Sequence, residues 1–215
     1  MNTMKHRSPR AFTLVEMITV IAVIIILAGL VLGVSGYVQT AAAKQRAVGE
    51  MKAIATQCEA YKNDNGSVPQ SKKTDELDPR KHFDPNAEQY KDANEDLYSA
   101  LTGDFEPANH PDGKPEPGNK IYMSFQRNQL NFSKEPGSGE IKEIKGIQDP
   151  FGLLYGYSTI AAKNEAAYQE KIRSNPTEPR PTKLEGFNPT FDLWSTSGAT
   201  TESQQGKWGK NWGGN

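Results

Sequence analysis

The chain has 215 residues, enough for one modest domain and an additional segment. Its formal net charge is −1, so the molecule as a whole has no electrostatic bias towards nucleic acid. No phosphate-cradling glycine loop and no Cys/His zinc spacing occurs in the sequence, and its three histidines are scattered. These patterns favour neither a nucleic-acid-binding protein nor an enzyme. The single cysteine, Cys58, cannot form an intramolecular disulfide, and we interpret it as a small apolar residue on a helix face.

The N-terminal segment combines a basic flank with a long apolar run. Residues 1–11 carry Lys5, Arg7 and Arg10 and no acidic residue, and residues 17–34 contain no charged side chain. About 20 apolar residues in helical conformation span the ~30 Å hydrocarbon core of a bilayer. Because basic flanks stay on the cytoplasmic side, the sequence predicts a single-pass membrane helix with a cytoplasmic N-terminus.

Three interpretations of this segment compete: a secretory signal peptide cut near residues 41–43, a plain signal anchor, and the leader of an assembling subunit. Glu16 bears on the choice, because a carboxylate costs up to ~2.5–3.5 kcal/mol deep in a membrane. A signal peptide or a plain anchor gains nothing from it. If the chain is cut between Ala11 and Phe12, however, the new α-amine of Phe12 can pair with the Glu16 carboxylate of its own or a neighbouring subunit.

Residues 10–16, Arg-Ala-Phe-Thr-Leu-Val-Glu, resemble the prepilin signature of type IV pilins and type II secretion pseudopilins. The resemblance implies that a prepilin peptidase cuts between Ala11 and Phe12 and methylates the Phe12 amine, and that Glu16 guides docking into a helical fibre. The family usually has Gly before the cut, where this chain has Ala11. The domains implied are a leader at 1–11, a transmembrane and assembly helix at 12–38, and a periplasmic or extracellular pilin-like domain at 39–215.

The segment from Gln39 to Asn63 has apolar residues at three- and four-residue spacing, typical of an amphipathic helix. The stripe consists of Val48, Met51, Ile54, Ala55, Cys58 and Tyr61. No Pro interrupts the chain before it, so one helix is predicted from about residue 13 to 63. Gly66 is suited to a left-handed helix cap.

The remainder predicts short elements. A short helix is expected from Asn94 as N-cap to Gly103, and a second over 161–173, followed by a Pro-rich linker at 175–183. Strands are predicted at 121–125, 130–132, 140–147, 154–158 and 191–195. The predicted fold class is therefore α+β: a long N-terminal helix, with a transmembrane half and an amphipathic half, packed on a small antiparallel β-sheet.

Three segments resemble one branch of the family, the major (G-type) pseudopilin of type II secretion. They are residues 60–69, residues 149–157 and residues 191–195. The resemblance skips residues 70–145 and 161–186, apparent insertions whose role the sequence leaves open.

That branch usually binds calcium in the loop after the last strand, through Asp side chains and backbone carbonyls. Calcium needs several converging oxygens, typically 6–8, and the only acid in residues 196–211 is Glu202. Thr200 and Glu202 are the calcium candidates. The alternatives are a polar loop closed by Trp208 and Trp212 packing on the sheet, or an exposed Trp surface for a sugar or a partner.

The function hypothesis from the resemblance is a structural subunit of a type II secretion pseudopilus or a type IV pilus-like fibre, with no catalytic residue and no cofactor except that calcium. The implied partners are other copies of the chain, the prepilin peptidase, an inner-membrane assembly platform and minor pseudopilins, and no nucleic acid. The alternative is a secreted or membrane-anchored periplasmic binding or hydrolytic domain with an ordinary export signal. The sequence does not choose between secretion pseudopilus and surface pilus, between major and minor subunit, or among cargoes.

Overall fold

The computed structural model describes residues 12–107, 115–182 and 185–213, and the side chains of residues 31–35 lie outside this description. The predicted leader, residues 1–11, also lies outside it. The chain divides into two units, Met1–Ala42 and Ala43–Asn215.

The first element, α1, is a single helix over Leu14–Asn65, which confirms the predicted continuous helix. In the second unit its buried residues are Ala47, Met51, Ile54 and Cys58, with Val48 and Ala55 half-buried beside them. Five of the six predicted stripe residues are therefore in the core, Ala47 joins them on the same face, and the sixth, Tyr61, is half-buried against Tyr122. The helix ends as predicted at Gly66, whose φ is +82° and whose N–H donates to the Lys62 carbonyl at 2.7 Å.

The remaining elements are short and confirm the α+β class. Their bounds are α2 Glu88–Thr102, β1 Leu130–Lys134, β2 Ile141–Ile147, β3 Gly156–Ser158, α3 Ile160–Ser174, β4 Asp192–Ser195 and β5 Gly209–Lys210. All strand pairs are antiparallel, but they form two sheets: β1 pairs with β2, and β4 lies between β3 and β5. The predicted single sheet is divided at the turn Asp149–Gly152, where only an isolated bridge joins Gln148 to Leu154. Residues 121–125, predicted as a strand, form none; the Tyr122 and Met123 amides donate to Leu101 at the end of α2.

The start of α2 corrects another prediction. Asn94 is not an N-cap; α2 begins six residues earlier, and Asn94 lies fully buried inside it. Its side-chain amide donates to the carbonyls of Ile147 and Tyr155 at 3.0 and 2.7 Å, and its Oδ1 accepts from the Ile147 N–H at 2.6 Å. Asn94 therefore adds three side-chain hydrogen bonds at the place where one isolated bridge joins the two sheets. The buried backbone groups of Ile147 and Tyr155 need hydrogen-bond partners, and Asn94 supplies them. Because these groups lie far from Asn94 in sequence, they override its local preference for a helix N-cap.

Two clusters of buried side chains form the core of the second unit. The larger lies between α1, α2 and the strands and includes Met51, Ile54, Leu97, Tyr157 and Leu193. The smaller contains all three tryptophans of the chain: Trp194 stacks on Trp208 with ring centres 5.9 Å apart and meets Trp212 edge-on at 5.6 Å. This cluster closes the C-terminal segment over β4, as one of the sequence alternatives predicts.

Candidate assembly site

The helix α1 begins with a reciprocal cap between Thr13 and Glu16. The Thr13 backbone N–H and its hydroxyl donate to Glu16 Oε2 at 2.9 and 3.0 Å, and the Glu16 N–H donates to Thr13 Oγ1 at 3.2 Å. This is a capping box, in which two backbone donors at a helix start are satisfied by two side chains. The side-chain bonds engage only one oxygen of the Glu16 carboxylate. Glu16 thus caps the start of α1, in addition to the amine pairing predicted for it. The Thr-x-x-Glu spacing of residues 13–16 is the sequence pattern that indicates this cap.

The first unit exposes an unusual amount of apolar surface. Between Phe12 and Leu30, thirteen large apolar side chains are exposed, from 45% for Met17 to 74% for Phe12 and Leu14. They occur on all sides of the helix, since neighbouring positions such as Ile24, Ile25 and Ile26 are all exposed. Burying one such side chain fully is worth about 1.5–3 kcal/mol. A surface of this kind marks a site of association with other protein or with lipid.

Within the residues that the structure describes, no helix is both long enough and apolar enough to cross a membrane. The transmembrane assignment of residues 12–38 stays a prediction.

The predicted processing site is only half within the described residues. Phe12 is described and its side chain is exposed, whereas Ala11 lies outside. The cut between Ala11 and Phe12 and the methylation of Phe12 therefore stay predictions from the sequence motif.

The two calcium candidates lie on an exposed turn. Thr200 and Glu202 are both exposed, and Glu202 begins a short 3₁₀ turn over Glu202–Lys207. Throughout the described ranges no group of three His, Cys, Asp or Glu side chains converges as metal ligands would. A single carboxylate does not make the donor set that calcium prefers. Calcium binding at this loop stays a prediction, and nothing below depends on it.

Trp208 and Trp212 are buried, at 5% and 6% exposure. The Trp208 ring N–H donates to the Ala199 carbonyl at 2.7 Å, and Trp212 stacks on Phe187 with ring centres 4.7 Å apart. A sugar platform needs an exposed ring face, so that alternative is wrong for these two residues. Cys58 is likewise fully buried, and burial raises the pKa of its thiol to about 12, which agrees with a packing role.

Two buried carboxylates hold the loop before β4 and were not predicted from the sequence. Asp192 accepts the N–H groups of Phe187 and Asn188, each at 2.8 Å, and Asp78 accepts the Gly186 N–H at 3.2 Å. Burial raises the pKa of Asp192 to about 6, and the nearby Asp78 carboxylate raises it further while Arg80 and the two backbone donors lower it. These contacts are long-range in sequence, and isolated Asp residues in a polar segment carry no signal for them.

The raised pKa of Asp192 predicts a pH dependence of stability. Since the folded state binds this proton more tightly than the unfolded state, its contribution is fully present below about pH 4 and is lost as the pH rises to about 6. The loss is expected to be roughly 1–3 kcal/mol. We expect urea titrations to show the unfolding free energy of the wild type rising from pH 6 to pH 4, and we expect Asp192→Asn to flatten this rise. Asp84→Asn, which removes an exposed carboxylate, is the control. An unchanged slope in Asp192→Asn would contradict the assignment.

Comparison with protein-family models, with curated proteins and with solved structures found no match for this chain.

Proposed function

We propose that this chain is a structural subunit of a type II secretion pseudopilus or a type IV pilus-like fibre. A prepilin peptidase cuts it between Ala11 and Phe12 and methylates the Phe12 amine. The subunit sits in the inner membrane with its N-terminus in the cytoplasm and its globular part in the periplasm or outside the cell. An assembly platform then extracts it into a helical fibre, together with minor pseudopilins.

The observation that carries this proposal is the contrast between the two parts of α1. From Phe12 to Leu30 its large apolar side chains are exposed, whereas from Ala47 onwards the same helix buries one stripe in a core of its own unit. Thirteen exposed apolar side chains cannot remain in water at a tolerable free energy. A membrane before assembly, and the helices of other copies after it, provide the two environments that such a segment requires.

The Glu16 carboxylate supports the same proposal. It lies at the start of the apolar segment. The backbone N–H and the hydroxyl of Thr13 both donate to its Oε2. Once a free amine exists at Phe12, an adjacent subunit can offer it to this carboxylate. A charge pair of this kind tolerates a low-dielectric surrounding only if both partners are present, so it ties the register of one helix to the next.

The first test is the mature N-terminus of the protein isolated from its native membrane, determined by mass spectrometry. A chain that begins with N-methylated Phe12 is the expected result. A chain that begins near residue 44 would show ordinary signal-peptide removal, which would eliminate the assembly helix. The alternative, an exported binding or hydrolytic domain, would then take the place of this proposal.

A further inference from the structure

The helix α1 contains a single aromatic residue between Phe12 and Tyr61, which is Tyr37. Tyr37 follows the long apolar run, and the first charged residue after that run is Lys44. The Tyr37 side chain is 78% exposed, the largest fraction among the exposed large apolar side chains of the described residues. An aromatic ring that lies outside a core, at a change from apolar to polar sequence, is typical of an anchor at a membrane–water interface.

Tyr37 lies about one membrane thickness from Glu16. The two residues are 21 positions apart on a helix without a break, and no charged residue occurs between them. At ~1.5 Å per residue they are about 31 Å apart along the helix axis, and the hydrocarbon core of a bilayer is about 30 Å thick. If Glu16 lies at one face of a bilayer, Tyr37 therefore lies at the other.

The hydroxyl groups along this part of α1 differ in where they find hydrogen bonds. Thr19, within the apolar run, donates to the Val15 carbonyl at 2.8 Å. Thr40 donates in the same way to the Gly36 carbonyl at 3.0 Å. Such bonds to the helix backbone allow a Thr hydroxyl to lie in hydrocarbon. The Tyr37 hydroxyl is at the far end of a ring and makes no hydrogen bond to a described residue, so it needs a partner outside the chain.

We infer that Tyr37 anchors α1 at the outer face of the membrane, with its ring among the upper acyl chains and its hydroxyl bonded to phospholipid headgroups. A ring with an apolar body and a polar tip fits this layer better than it fits either hydrocarbon or water. The inference rests on the proposed function, in which the subunit is held in the inner membrane before assembly. It adds the lipid contact that fixes how deep the helix lies.

The anchor sets the depth of Glu16 and of the predicted cleavage site. Sliding α1 outwards by one turn would draw the Glu16 carboxylate about 5 Å into hydrocarbon, where a charge is costly. Sliding α1 towards the cytoplasm by one turn would bury the Tyr37 hydroxyl without a partner. The two residues therefore resist displacement in opposite directions, and together they keep Phe12 at the cytoplasmic face.

The decisive test measures the depth of α1 in vesicles. The purified full-length chain, with a bimane label on Ala41→Cys, is reconstituted into phosphatidylethanolamine–phosphatidylglycerol vesicles that contain nitroxide lipids. Ala41 is exposed and lies one turn beyond Tyr37, whereas the native Cys58 is fully buried and does not take the label. A nitroxide at the headgroup is expected to quench the Ala41 label roughly threefold more than a nitroxide at the middle of the acyl chain.

Three substitutions separate an anchor from a residue without a role. Tyr37→Ala removes the ring and is expected to lower this quenching ratio roughly twofold, because the depth of the helix is then less well defined. Tyr37→Trp keeps an amphipathic ring and is expected to retain the ratio. Val38→Ala, which shortens the neighbouring exposed side chain, is the matched control and is expected to leave the ratio unchanged. Thermal unfolding of each variant verifies that the globular part folds.

A second label, on Leu30→Cys, separates this anchor from the proposed function. Leu30 is exposed and lies about 10 Å before Tyr37 along the helix, so the acyl-chain nitroxide is expected to quench its label more strongly. If it does, but Tyr37→Ala leaves the Ala41 ratio unchanged, the anchor is wrong and the proposed function stands. If no nitroxide lipid quenches either label, α1 does not enter the bilayer, and the proposed function fails together with the anchor. In cells, a photo-cross-linking amino acid at position 37 that links to a second copy and not to lipid would assign Tyr37 to a contact between copies instead.

Discussion

Replacing Glu16 with Gln is expected to abolish fibre assembly while leaving cleavage, membrane insertion and the globular fold intact. The capping box accepts Gln as well as Glu at this position, so the bond to the Thr13 backbone is retained. What disappears is the negative charge that the Phe12 amine of an adjacent subunit would meet. Leaving one member of a buried ion pair without its partner costs about 3–5 kcal/mol. Such a loss at every subunit contact is enough to prevent polymerisation.

Glu16→Ala and Thr13→Val complete this experiment. The Ala variant loses both the charge and the cap, and is expected to fail like the Gln variant. The Val variant keeps the carboxylate but removes the hydroxyl that bonds to Glu16 at 3.0 and 3.2 Å, which costs about 1 kcal/mol at the helix start. We expect it to assemble within roughly twofold of the wild type, because so small a cost acts only on the helix end.

Fibre yield is measured by shearing, sedimentation and electron microscopy, with the mature N-terminus verified by mass spectrometry for every variant. Wild-type assembly by Glu16→Gln would show that the carboxylate charge is not needed. Wild-type assembly by Glu16→Gln, together with failure of both Glu16→Ala and Thr13→Val, would assign the residue to helix capping alone. Export and activity that are unaffected in all three variants, with no fibre in the wild type, would favour the anchored-domain alternative.

The elements that follow from local chemistry are predictable from the sequence. The stripe containing Met51, Ile54 and Cys58 repeats at helical spacing, and it lies buried along one face of α1. Gly66 and Gly103 both end helices with positive φ, as residues without a Cβ can. The strand β2 coincides with an alternating run and β4 with a compact apolar run, and each run lies next to a turn. In each case the deciding interactions lie within a few residues of one another.

The elements that depend on distant partners are not predictable in this way. Asn94 has the residue type of a cap, yet three buried hydrogen bonds to β2 and to Tyr155 place it inside a helix. Thr74 and Thr159 meet across 85 positions in a polar region without periodicity. For Glu16 the sequence motif gives a candidate role and the structure adds the local cap, but the partner that would test the pairing belongs to another molecule. Prediction fails where a polar side chain satisfies a group that only the tertiary fold brings near.

Gly156 is a position where adding a single methyl group is expected to damage the fold severely. A Cβ at Gly156 would lie 2.1 Å from Cε2 and 2.3 Å from Cζ2 of Trp194, its partner across the β3–β4 pair. The Trp194 ring is held in place by two contacts: its ring N–H donates to the Tyr90 hydroxyl at 2.6 Å, and its face stacks on Trp208. Gly156→Ala must therefore displace the ring and disrupt the smaller core cluster.

We expect Gly156→Ala to lower the free energy of unfolding by about 3 kcal/mol, a large part of the ~5–15 kcal/mol that holds a typical domain. Gly49→Ala is the matched control, since Gly49 lies in the interior of α1 with nothing within 4 Å of the added Cβ. It is expected to raise stability by about 0.5–1 kcal/mol through helix propensity.

Because the three tryptophans of the chain all belong to this cluster, their fluorescence during urea unfolding of the full chain reports the effect directly. A Gly156→Ala variant with wild-type stability would mean that β3 and Trp194 do not pack at this distance, and the tryptophan cluster could then not be what closes the C-terminal segment over β4.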